Sequence, residues 1–309
     1  MHPVFMVLII LGALALLAAL VSYVCFRMAF YAKREPLTDE YKLPDGDIYL
    51  PHKEQMLSWM RQTREMPCKE VSITSFDGLT LWGKYYEYAP GAVTELMFHG
   101  YRGTSERDLC GGVQRCFKLG HNAFIVDQRT SGKSGGNVIT FGVNESKDCL
   151  SWLAFLREFL GEDAKIILCG ISMGASTVMM ASGKELPPNV IGVLADCGFS
   201  SAKEIIKKVI KQRGLPAKPL YPFVRLGARL YGGFNLEEDP PEHALKSCKV
   251  PLIIFHGESD DYVPCYMSRI CYDACPSRKR LVTVPNAGHG LSYILAPDQY
   301  INELKQFFN

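Results

Sequence analysis

Six short apolar runs, separated by segments long enough to form helices, leave few folds open to this chain of 309 residues. The runs occupy residues 95–98, 123–126, 166–168, 191–194, 252–255 and 281–284. Such runs are typical of strands buried on both faces of a sheet, and the helical segments between them provide the crossovers that parallel strands need. An alternating pattern at 71–74 and 79–88, broken by Asp77-Gly78, predicts an antiparallel hairpin before them. The sequence therefore predicts an α/β fold with a mostly parallel central sheet flanked by helices.

Polar motifs follow several apolar runs, where the predicted strands end. In an open parallel sheet these ends meet at one edge, and ligands bind there. The most distinctive motif is Gly-x-Ser-x-Gly at residues 170–174, in which Ser172 separates a predicted strand from a predicted helix. A sharp turn of this kind exposes its corner residue and needs neighbours without side chains. The other motifs are His-Gly-Tyr at 99–101, His-Gly-x-x-Asp-x-x-Val-Pro at 256–264, and the loop 285–290, which contains His289.

Serine, histidine and aspartate together are the groups that nucleophilic acyl transfer requires. A serine hydroxyl is a weak nucleophile until an imidazole takes its proton, and that imidazole needs a carboxylate to fix its tautomer. The negatively charged tetrahedral intermediate must then be held by fixed hydrogen-bond donors. An isolated Gly-x-Ser-x-Gly match is also compatible with an ordinary turn, so the interpretation depends on the motifs taken together.

In this order along the chain, the motifs resemble those of the α/β-hydrolase fold serine hydrolases. The resemblance is to a membrane-anchored branch with a small cap, which is esterase-, lipase- or thioesterase-like and related to the serine aminopeptidase-type hydrolases. It implies Ser172 as nucleophile, Asp260 as acid and His289 as base. It also implies an oxyanion hole made by the backbone N–H groups of Tyr101 and Met173. The implied substrate is an acyl ester, a thioester or a lipid, with no metal and no cofactor.

Two other aspartates compete for the role of the acid. Asp261 adjoins Asp260, and Asp196 ends another predicted strand, from which some relatives supply the carboxylate. We favour Asp260 because the turn into Val-Pro fixes which carboxylate points inward. His99 and His256 each precede a glycine at a strand end, and we expect both to hold their loops by hydrogen bonds.

Other functions remain open. A serine peptidase of the same fold uses the same three groups, and some members of the fold lose catalysis and act as binding proteins, because fold alone does not fix function. Acyl transfer to an acceptor other than water is a further alternative. The intact motif residues favour an enzyme.

The segment 127–135 contains Ser-Gly-Lys-Ser and is similar to the end of a phosphate-binding loop. Asp127 stands where that motif needs glycine, which excludes a kinase or NTPase. The hydrolases that the chain resembles usually carry Gly-His at the positions of Thr130 and Ser131. We therefore expect a local structural departure in this loop.

The N-terminal region predicts a membrane anchor. Residues 3–26 contain no charged side chain, and as a helix they would span about 36 Å, enough to cross a bilayer with some tilt. A cleaved signal peptide is the alternative, but no Lys or Arg precedes the run, and the run is long for a signal peptide. Arg27, Lys33 and Arg34 follow it, which by the positive-inside rule predicts a catalytic domain in the cytoplasm. We therefore assign residues 1–34 to a single-pass anchor with a basic flank.

The rest of the chain divides into a connecting segment and a catalytic domain. Residues 35–67 are predicted to form a linker and an amphipathic helix over 53–66, which lies on lipid headgroups or, as we favour, packs against the catalytic domain. The catalytic domain covers 68–309, with a small helical cap predicted at 199–247. Residues 200–231 carry eight basic residues and one acidic residue. Three interpretations remain for this charge, namely anionic substrates, an anionic membrane surface, or solvated surface charge.

Composition adds two expectations. The net charge of +2 gives no reason to expect nucleic acid as a partner. The eleven cysteines, an odd number found mostly in apolar runs, favour free thiols in a reducing compartment. Cys265, Cys271 and Cys275 cluster, but they lack the C-x-x-C pair typical of zinc sites and are more typical of one helix face.

Overall fold

The strands of the central sheet coincide with the apolar runs of the sequence. The structure is a computed structural model, and it describes residues 3–33, 38 and 40–308. The strands are β1 Lys69–Thr74, β2 Thr80–Tyr86, β3 Thr94–Phe98, β4 Asn122–Asp127, β5 Ile166–Ile171, β6 Val190–Asp196, β7 Leu252–Gly257 and β8 Lys279–Val284. Each of the six predicted parallel strands is present and somewhat longer than its apolar run.

The sheet has the strand order β1-β2-β4-β3-β5-β6-β7-β8. Strand β2 pairs antiparallel with both β1 and β4, and every other neighbouring pair is parallel. The predicted α/β-hydrolase fold, with its antiparallel opening and parallel sheet, is confirmed. Because β3 to β8 run in the same direction, the loops that carry the polar motifs all emerge at one edge.

Helices cover both faces of this sheet and precede it. They are α1 Pro3–Ala29, α2 Lys53–Glu65, α3 Ser105–Leu119, α4 Val143–Leu160, α5 Met173–Ser182, α6 Ala202–Gln212, α7 Ala217–Tyr231, α8 Pro241–Ala244, α9 Tyr266–Ala274, α10 Ser292–Leu295 and α11 Pro297–Phe308. Short 3₁₀ turns lie at Asp47–His52 and Leu245–Ser247.

Alternate residues of the central strands point to opposite faces of the sheet. In β3, Leu96 and Phe98 belong to a buried cluster with Trp152 of α4, whereas Met97 belongs to a second cluster with Val113 of α3. Burial of each such side chain contributes about 1.5–3 kcal/mol. The sheet is therefore stabilised from both faces, and it provides a rigid base for the loops at its edge.

Helix α1 has two parts with different surroundings. Its most apolar window has a mean hydropathy of 3.1 and no buried residue, and by length and composition the helix could cross a membrane. The end of the helix packs instead against protein, because Ser22, Phe26 and, just beyond the helix, Phe30 are buried. The ring of Phe30 lies edge-on to Phe141 at 5.7 Å and to Phe234 at 5.3 Å. The end of α1 therefore shares a hydrophobic core with the hydrolase domain.

The chain that follows α1 is also attached to the domain. The guanidinium of Arg27 lies 3.8 Å from the ring centre of Tyr31, and Tyr31 pairs with Val138 in an isolated antiparallel bridge. Lys33 follows, whereas Arg34 of the predicted basic flank lies outside the described residues.

Helix α2 packs on the domain through its apolar stripe. Met56 and Met60 are buried in a cluster that includes Cys110 of α3, and the ring of Trp59 stacks on Tyr293 at 5.6 Å. The stripe is thus covered by protein, as in the arrangement we favoured from the sequence. The domain boundaries at 34 and 67 stay predictions.

Helices α6 and α7 form the structure that we call the cap, residues 202–231. Part of its positive charge has acidic partners, since Lys203 lies 3.8 Å from Glu237 and Lys207 lies 3.6 Å from Glu204. Exposed ion pairs of this kind contribute little to stability. Paired surface charge therefore accounts for part of the basic composition of this region.

The cysteines are all free thiols, and eight of the eleven are buried. Cys271 lies within α9, and Cys265 and Cys275 flank that helix at its two ends. The thiols therefore act as small apolar groups in the packing of the domain.

Candidate active site

Ser172 occupies the sharp turn between β5 and α5. Its backbone angles are φ 56° and ψ −119°, a conformation that residues with side chains rarely adopt. A Cβ on Gly170 would overlap the carbonyl of Gly174, and a Cβ on Gly174 would overlap the carbonyl of Phe98 in β3. Close backbone packing therefore requires both glycines, and the turn that they permit presents the serine at the edge of the sheet.

Ser172, His289 and Asp260 form one continuous hydrogen-bonded chain. His289 Nε2 lies 2.9 Å from Ser172 Oγ, and His289 Nδ1 lies 2.7 Å from Asp260 Oδ2. When Nδ1 carries the proton and donates it to the carboxylate, Nε2 has the lone pair that can accept the hydroxyl proton. The structure thus brings together three residues from the ends of β5, β7 and β8, as the order of motifs predicts.

Asp260 is held in place from several sides. Its Oδ1 accepts hydrogen bonds from the backbone amides of Tyr262 at 2.9 Å and Val263 at 2.7 Å, and its Oδ2 lies 3.3 Å from His256 Nε2. Burial by itself would raise the pKa of Asp260. Hydrogen bonds with His256 and His289 outweigh burial and hold this pKa well below the usual range. The carboxylate is therefore ionised at neutral pH, which suits it to stabilise an imidazolium.

The other two aspartates have different surroundings. The side chain of Asp261 is exposed, while the buried carboxylate of Asp196 accepts hydrogen bonds from Ser292 Oγ at 3.2 Å and Tyr300 Oη at 3.1 Å. Burial raises the pKa of Asp196 to about 6. Among the described residues, neither aspartate hydrogen-bonds to His289. The geometry therefore favours Asp260 among the three.

His99 and His256 hold loops, as their positions before glycines predict. His99 Nε2 accepts from the amide of Gln128 at 3.0 Å, and its Nδ1 lies 2.8 Å from the carbonyl of Gly100. Burial lowers the pKa of His99, which keeps the ring neutral. His256 lies in β7, its Nε2 lies 2.7 Å from the carbonyl of Val263, and its Nδ1 lies 2.6 Å from Ser268 Oγ. The ring therefore connects β7 to the loop that follows it and to α9.

The backbone amides of Tyr101 and Met173, the predicted oxyanion donors, belong to turns beside Ser172. Met173 is the first residue of α5, and the amides at a helix start point out of its N-terminus. The turn that contains Tyr101 touches the serine, since a Cβ on Gly100 would lie 3.8 Å from Ser172 Oγ. Within the described part of the chain, neither amide donates to another protein group. Both are therefore free to bind an oxyanion.

The loop after β4 uses its amides differently from a phosphate-binding loop. Asp127 Oδ2 accepts from the amide of Lys133 at 3.1 Å, and Asp127 Oδ1 accepts from Ser105 Oγ at 2.7 Å. Lys133 Nζ lies 2.6 Å from Glu70. A carboxylate thus fills the space that a phosphate would need. The expected departure in this loop includes Thr130, whose φ is 77°.

One thiol lies beside the hydrogen-bonded chain. Cys197, Asp260 and His289 offer ligand atoms within 4.8 Å of one another, the one grouping of this kind found in the described residues. Burial raises the pKa of Cys197 well above its usual value and keeps the thiol protonated, which makes it a poor metal ligand. Asp260 and His289 already bond to each other, so we assign no metal to this group.

A cavity of about 620 Å³ opens on Ser172. Its volume is within the range of small-molecule sites. Its walls combine aromatic and aliphatic side chains with charged ones, among them four arginines and four aspartates. Wall residues include Tyr49, Trp59, Leu109, Arg115, Tyr262 and Tyr293.

Sequence reasoning missed Tyr49, which lies in the segment predicted to be a linker. Its hydroxyl donates a hydrogen bond of 3.0 Å to the carbonyl of His289, and the side chain is buried. No motif surrounds this residue, and the available signal was an aromatic side chain in an otherwise polar segment.

The match to a protein family begins within β3 and ends within α11. Residues 96–303 match the model of a family described as the alpha/beta hydrolase family, and the match covers more than half of the chain. The chain belongs to the alpha/beta hydrolase family. Family membership establishes the fold and supports a hydrolase activity.

Two curated relatives share about a quarter of their aligned residues with this chain. The uncharacterized protein YqkD of Bacillus subtilis is 27% identical over 192 residues, which cover 62% of this chain and 63% of YqkD. Protein bem46 of Schizosaccharomyces pombe is 24% identical over 201 residues, which cover 63% of this chain and 61% of bem46. The chain thus spans somewhat less than two thirds of the length of these two relatives.

Among solved structures, the esterase Pf2001 of Pyrococcus furiosus has a TM-score of 0.65 to this chain at 20% identity. The superposition covers 90% of this chain and 97% of the esterase. A likeness at this level of identity supports the shared fold.

Proposed function

We propose that the chain is a serine hydrolase that cleaves carboxylic ester or thioester bonds of acyl or lipid substrates. The observation that carries this proposal is the hydrogen-bonded chain from Ser172 through His289 to Asp260, with distances of 2.9 and 2.7 Å. It begins at a strained turn, and strain of this kind is concentrated at functional sites. The likeness to a protein described as an esterase supports the same reaction class.

Acylation starts at the serine. His289 Nε2 takes the hydroxyl proton while Ser172 Oγ attacks the carbonyl carbon, and Asp260 stabilises the imidazolium that forms. The amides of Tyr101 and Met173 bind the oxyanion of the tetrahedral intermediate. His289 then gives its proton to the leaving alcohol or thiol, the C–O or C–S bond breaks, and the acyl group remains on the serine.

Deacylation repeats these steps with water as the nucleophile. His289 takes a proton from water, the resulting oxygen attacks the acyl carbon, and the same amides bind the second oxyanion. The proton returns to Ser172 Oγ as the carboxylic acid leaves. Every proton transfer in this cycle therefore passes through His289.

We also propose that α1 is a retained membrane anchor. Its composition suits a membrane span, but a signal peptide meets the same test. Burial of Phe26 and Phe30 in the core shared with the hydrolase domain supports retention, because cleavage after the helix would open this core. The basic residues after the span favour a hydrolase domain on the cytoplasmic side.

Labelling with a fluorophosphonate tests the nucleophile. The full-length protein in detergent should be labelled, and Ser172→Ala should lose the label and at least about 1,000-fold of its esterase rate. Ser176→Ala is the matched control, because Ser176 lies one turn further along α5 and its Oγ accepts from the amide of Phe199 at 2.9 Å. Labelling of Ser172→Ala at the wild-type level contradicts the proposal.

A substrate panel separates the ester and peptide alternatives. Acyl esters and acyl thioesters of increasing chain length are compared with aminoacyl amides under the same conditions. Preferential cleavage of esters or thioesters is expected, because apolar side chains such as Trp59, Met97 and Leu109 line part of the cavity and suit an acyl chain. Preferential cleavage of the amides would identify a peptidase instead.

A further inference from the structure

Helix α7 of the cap packs against the part of α1 that belongs to the apolar span. The hydroxyl of Tyr231 donates a hydrogen bond of 3.0 Å to the carbonyl of Ala19, and its ring lies edge-on to Tyr23 at 5.2 Å. Four residues earlier, a Cβ on Gly227 would overlap the carbonyl of Ser22. As α7 continues to its end, its contacts move back along α1. The last turn of α7 therefore points in the direction of the proposed membrane.

The position of these contacts along α1 indicates how deep in a bilayer the end of α7 would lie. If α1 spans a bilayer, the hydrocarbon boundary falls near Arg27, the first charge after the apolar run. Ala19 lies about 10 Å before Phe26, the last residue of that run, at the helical rise. Amphipathic helices at membrane interfaces lie at about 5–10 Å depth. The end of α7 is thus held at the depth of an interfacial helix.

The outer face of α7 has the composition that such a position requires. Leu226 is 36% exposed, Leu230 is 57% exposed and Tyr231 is 39% exposed. A surface helix of a soluble domain usually carries polar residues on this face. The charged residues of the helix are all basic, namely Lys218, Arg225 and Arg229, and Arg225 lies 3.2 Å from Glu237. Exposed leucines beside basic side chains, with a tyrosine at the end, suit a layer of anionic headgroups.

Part of the cavity wall lies beside the same end of α1. The side chain of Tyr101 donates a hydrogen bond of 2.8 Å to the carbonyl of Ala29, and Arg102 donates one of 2.9 Å to the carbonyl of Met28. Tyr101, Arg102 and Arg213 all line the cavity. This part of the wall is therefore attached to the residues where α1 leaves its apolar span.

We propose that Leu226, Leu230 and Tyr231 form a second membrane-contacting surface, seated at the boundary between headgroups and acyl chains in the leaflet from which α1 emerges. The acyl substrate then enters the cavity from this leaflet. The choice of substrate rests on the proposed hydrolase function, whereas the membrane contact rests on the proposed anchor α1 and on the packing of α7 against it. The occupant of the surface is a phospholipid leaflet with anionic headgroups.

Tryptophan quenching tests the contact. Leu226→Trp and Leu230→Trp are prepared in the full-length protein and reconstituted into vesicles of phosphatidylcholine and phosphatidylglycerol whose acyl chains are brominated close to the headgroup. Tyr88→Trp is the matched control, because Tyr88 is 52% exposed and its amide donates to Asn122 at the opposite end of the strands. Wild-type protein, with its three tryptophans, provides the background.

The emission added by Leu226→Trp and Leu230→Trp should be strongly quenched and shifted to shorter wavelength. The emission added by Tyr88→Trp should be nearly unchanged by bromination. Equal quenching at positions 230 and 88 overturns the membrane contact. This measurement does not depend on activity, so it remains decisive even when no substrate is cleaved.

Hydrolysis of two esters tests whether the substrate enters the cavity from the leaflet. In the same vesicles, Leu230→Asp should cleave a long-chain ester held in the bilayer about tenfold more slowly than wild type. The reason is that a charge replaces an apolar side chain that contacts the bilayer in our proposal. Its rate on a water-soluble short-chain ester should match wild type. An equal fall in the rate of hydrolysis of both esters, or no fall for either, would contradict entry of the substrate from the leaflet. If wild type cleaves neither ester, the proposed function fails, and quenching alone decides the membrane contact.

Discussion

The hydroxyl of Tyr49 donates a hydrogen bond of 3.0 Å to the carbonyl oxygen of His289. Tyr49 lies in the turn Asp47–His52, directly before α2, and packs in a cluster with Met60 of α2 and Leu291. The segment before the hydrolase domain thus reaches into the active-site region and fixes the loop that carries the proposed base. We assign Tyr49 a positioning role, because its hydroxyl bonds to the backbone of His289 and makes no hydrogen bond to Ser172 Oγ.

Replacement of this tyrosine tests the positioning role. We expect Tyr49→Phe to lower kcat about fivefold, because the ring remains while a hydrogen bond contributing about 1 kcal/mol is lost. KM should change little, since the acyl-binding wall stays in place. Steady-state kinetics on a soluble ester provide both constants, with Tyr88→Phe as the remote control. A raised KM at unchanged kcat would assign Tyr49 to substrate binding instead.

The choice between the adjacent carboxylates has a direct kinetic test. Asp260→Asn removes the acceptor that fixes the tautomer of His289, so we expect esterase activity to fall by about 10⁴. Asp261→Asn should remain within about twofold of wild type, because the side chain of Asp261 is exposed and makes no hydrogen bond to the histidine. Rates of fluorophosphonate labelling provide a second measurement of the same effect. Similar losses in both variants are inconsistent with our assignment.

Much of this fold could be predicted because its signals are local. The strands appear as short apolar runs, and Ser172 is marked by glycines that backbone packing requires on both sides. The choice of Asp260 over Asp261 was harder, because adjacent carboxylates differ only in where the turn directs them. The sequence favoured one of them through the Val-Pro that follows, and the hydrogen bonds from the amides of Tyr262 and Val263 give the physical reason.

The packing of α1 could not be predicted in the same way. A helix that is apolar on every side has no periodicity from which to identify a buried face. Phe26 and Phe30 therefore looked like the rest of the anchor, although they are buried in the hydrolase core. Tyr49 was missed for a related reason, because its partner lies 240 residues away and is a backbone carbonyl, which has no sequence signature.

The turn at the serine should tolerate no side chain at Gly174. Gly174→Ala introduces a Cβ into the carbonyl of Phe98, a backbone atom that cannot move without disturbing β3. We expect a loss of at least about 2 kcal/mol in the free energy of unfolding, together with loss of ester hydrolysis. Urea unfolding in detergent, followed by circular dichroism, measures the first effect. Gly12→Ala is the control, because nothing lies within 4 Å of a Cβ built there, and comparable losses in the two variants would refute the steric explanation.

Asp196 should make stability depend on pH in a defined direction. Burial raises its pKa in the folded chain to about 6, against about 3.9 in the unfolded chain. The folded chain therefore binds more protons between these values, and the stabilisation present below about pH 4 is lost as the pH rises through about 6.

The variant Asp196→Asn cannot ionise and keeps an oxygen for Ser292 and Tyr300 to donate to. Relative to wild type, its free energy of unfolding should rise by up to about 3 kcal/mol between about pH 4 and pH 7.5. The contribution of Asp260, whose pKa is lowered, is common to both proteins and cancels. Urea unfolding at several pH values measures the difference. A difference that does not vary with pH contradicts the expectation.

The close approach of α1 and α7 at Gly227 predicts that the anchor and the hydrolase domain stabilise each other. Small residues allow helices to approach closely, and here the Cβ position of Gly227 meets the carbonyl of Ser22 and lies 3.3 Å from Phe26 Cβ. Gly227→Val should push α1 away from the cap and lower the Tm by several degrees. It should also slow hydrolysis of a soluble ester, because Tyr101 donates to the carbonyl of Ala29 and would lose its support. Gly12→Val adds the same side chain to α1 at a position where nothing lies within 4 Å of the new Cβ. An equal fall in Tm in that variant would show that added bulk, rather than the contact between α1 and α7, is responsible.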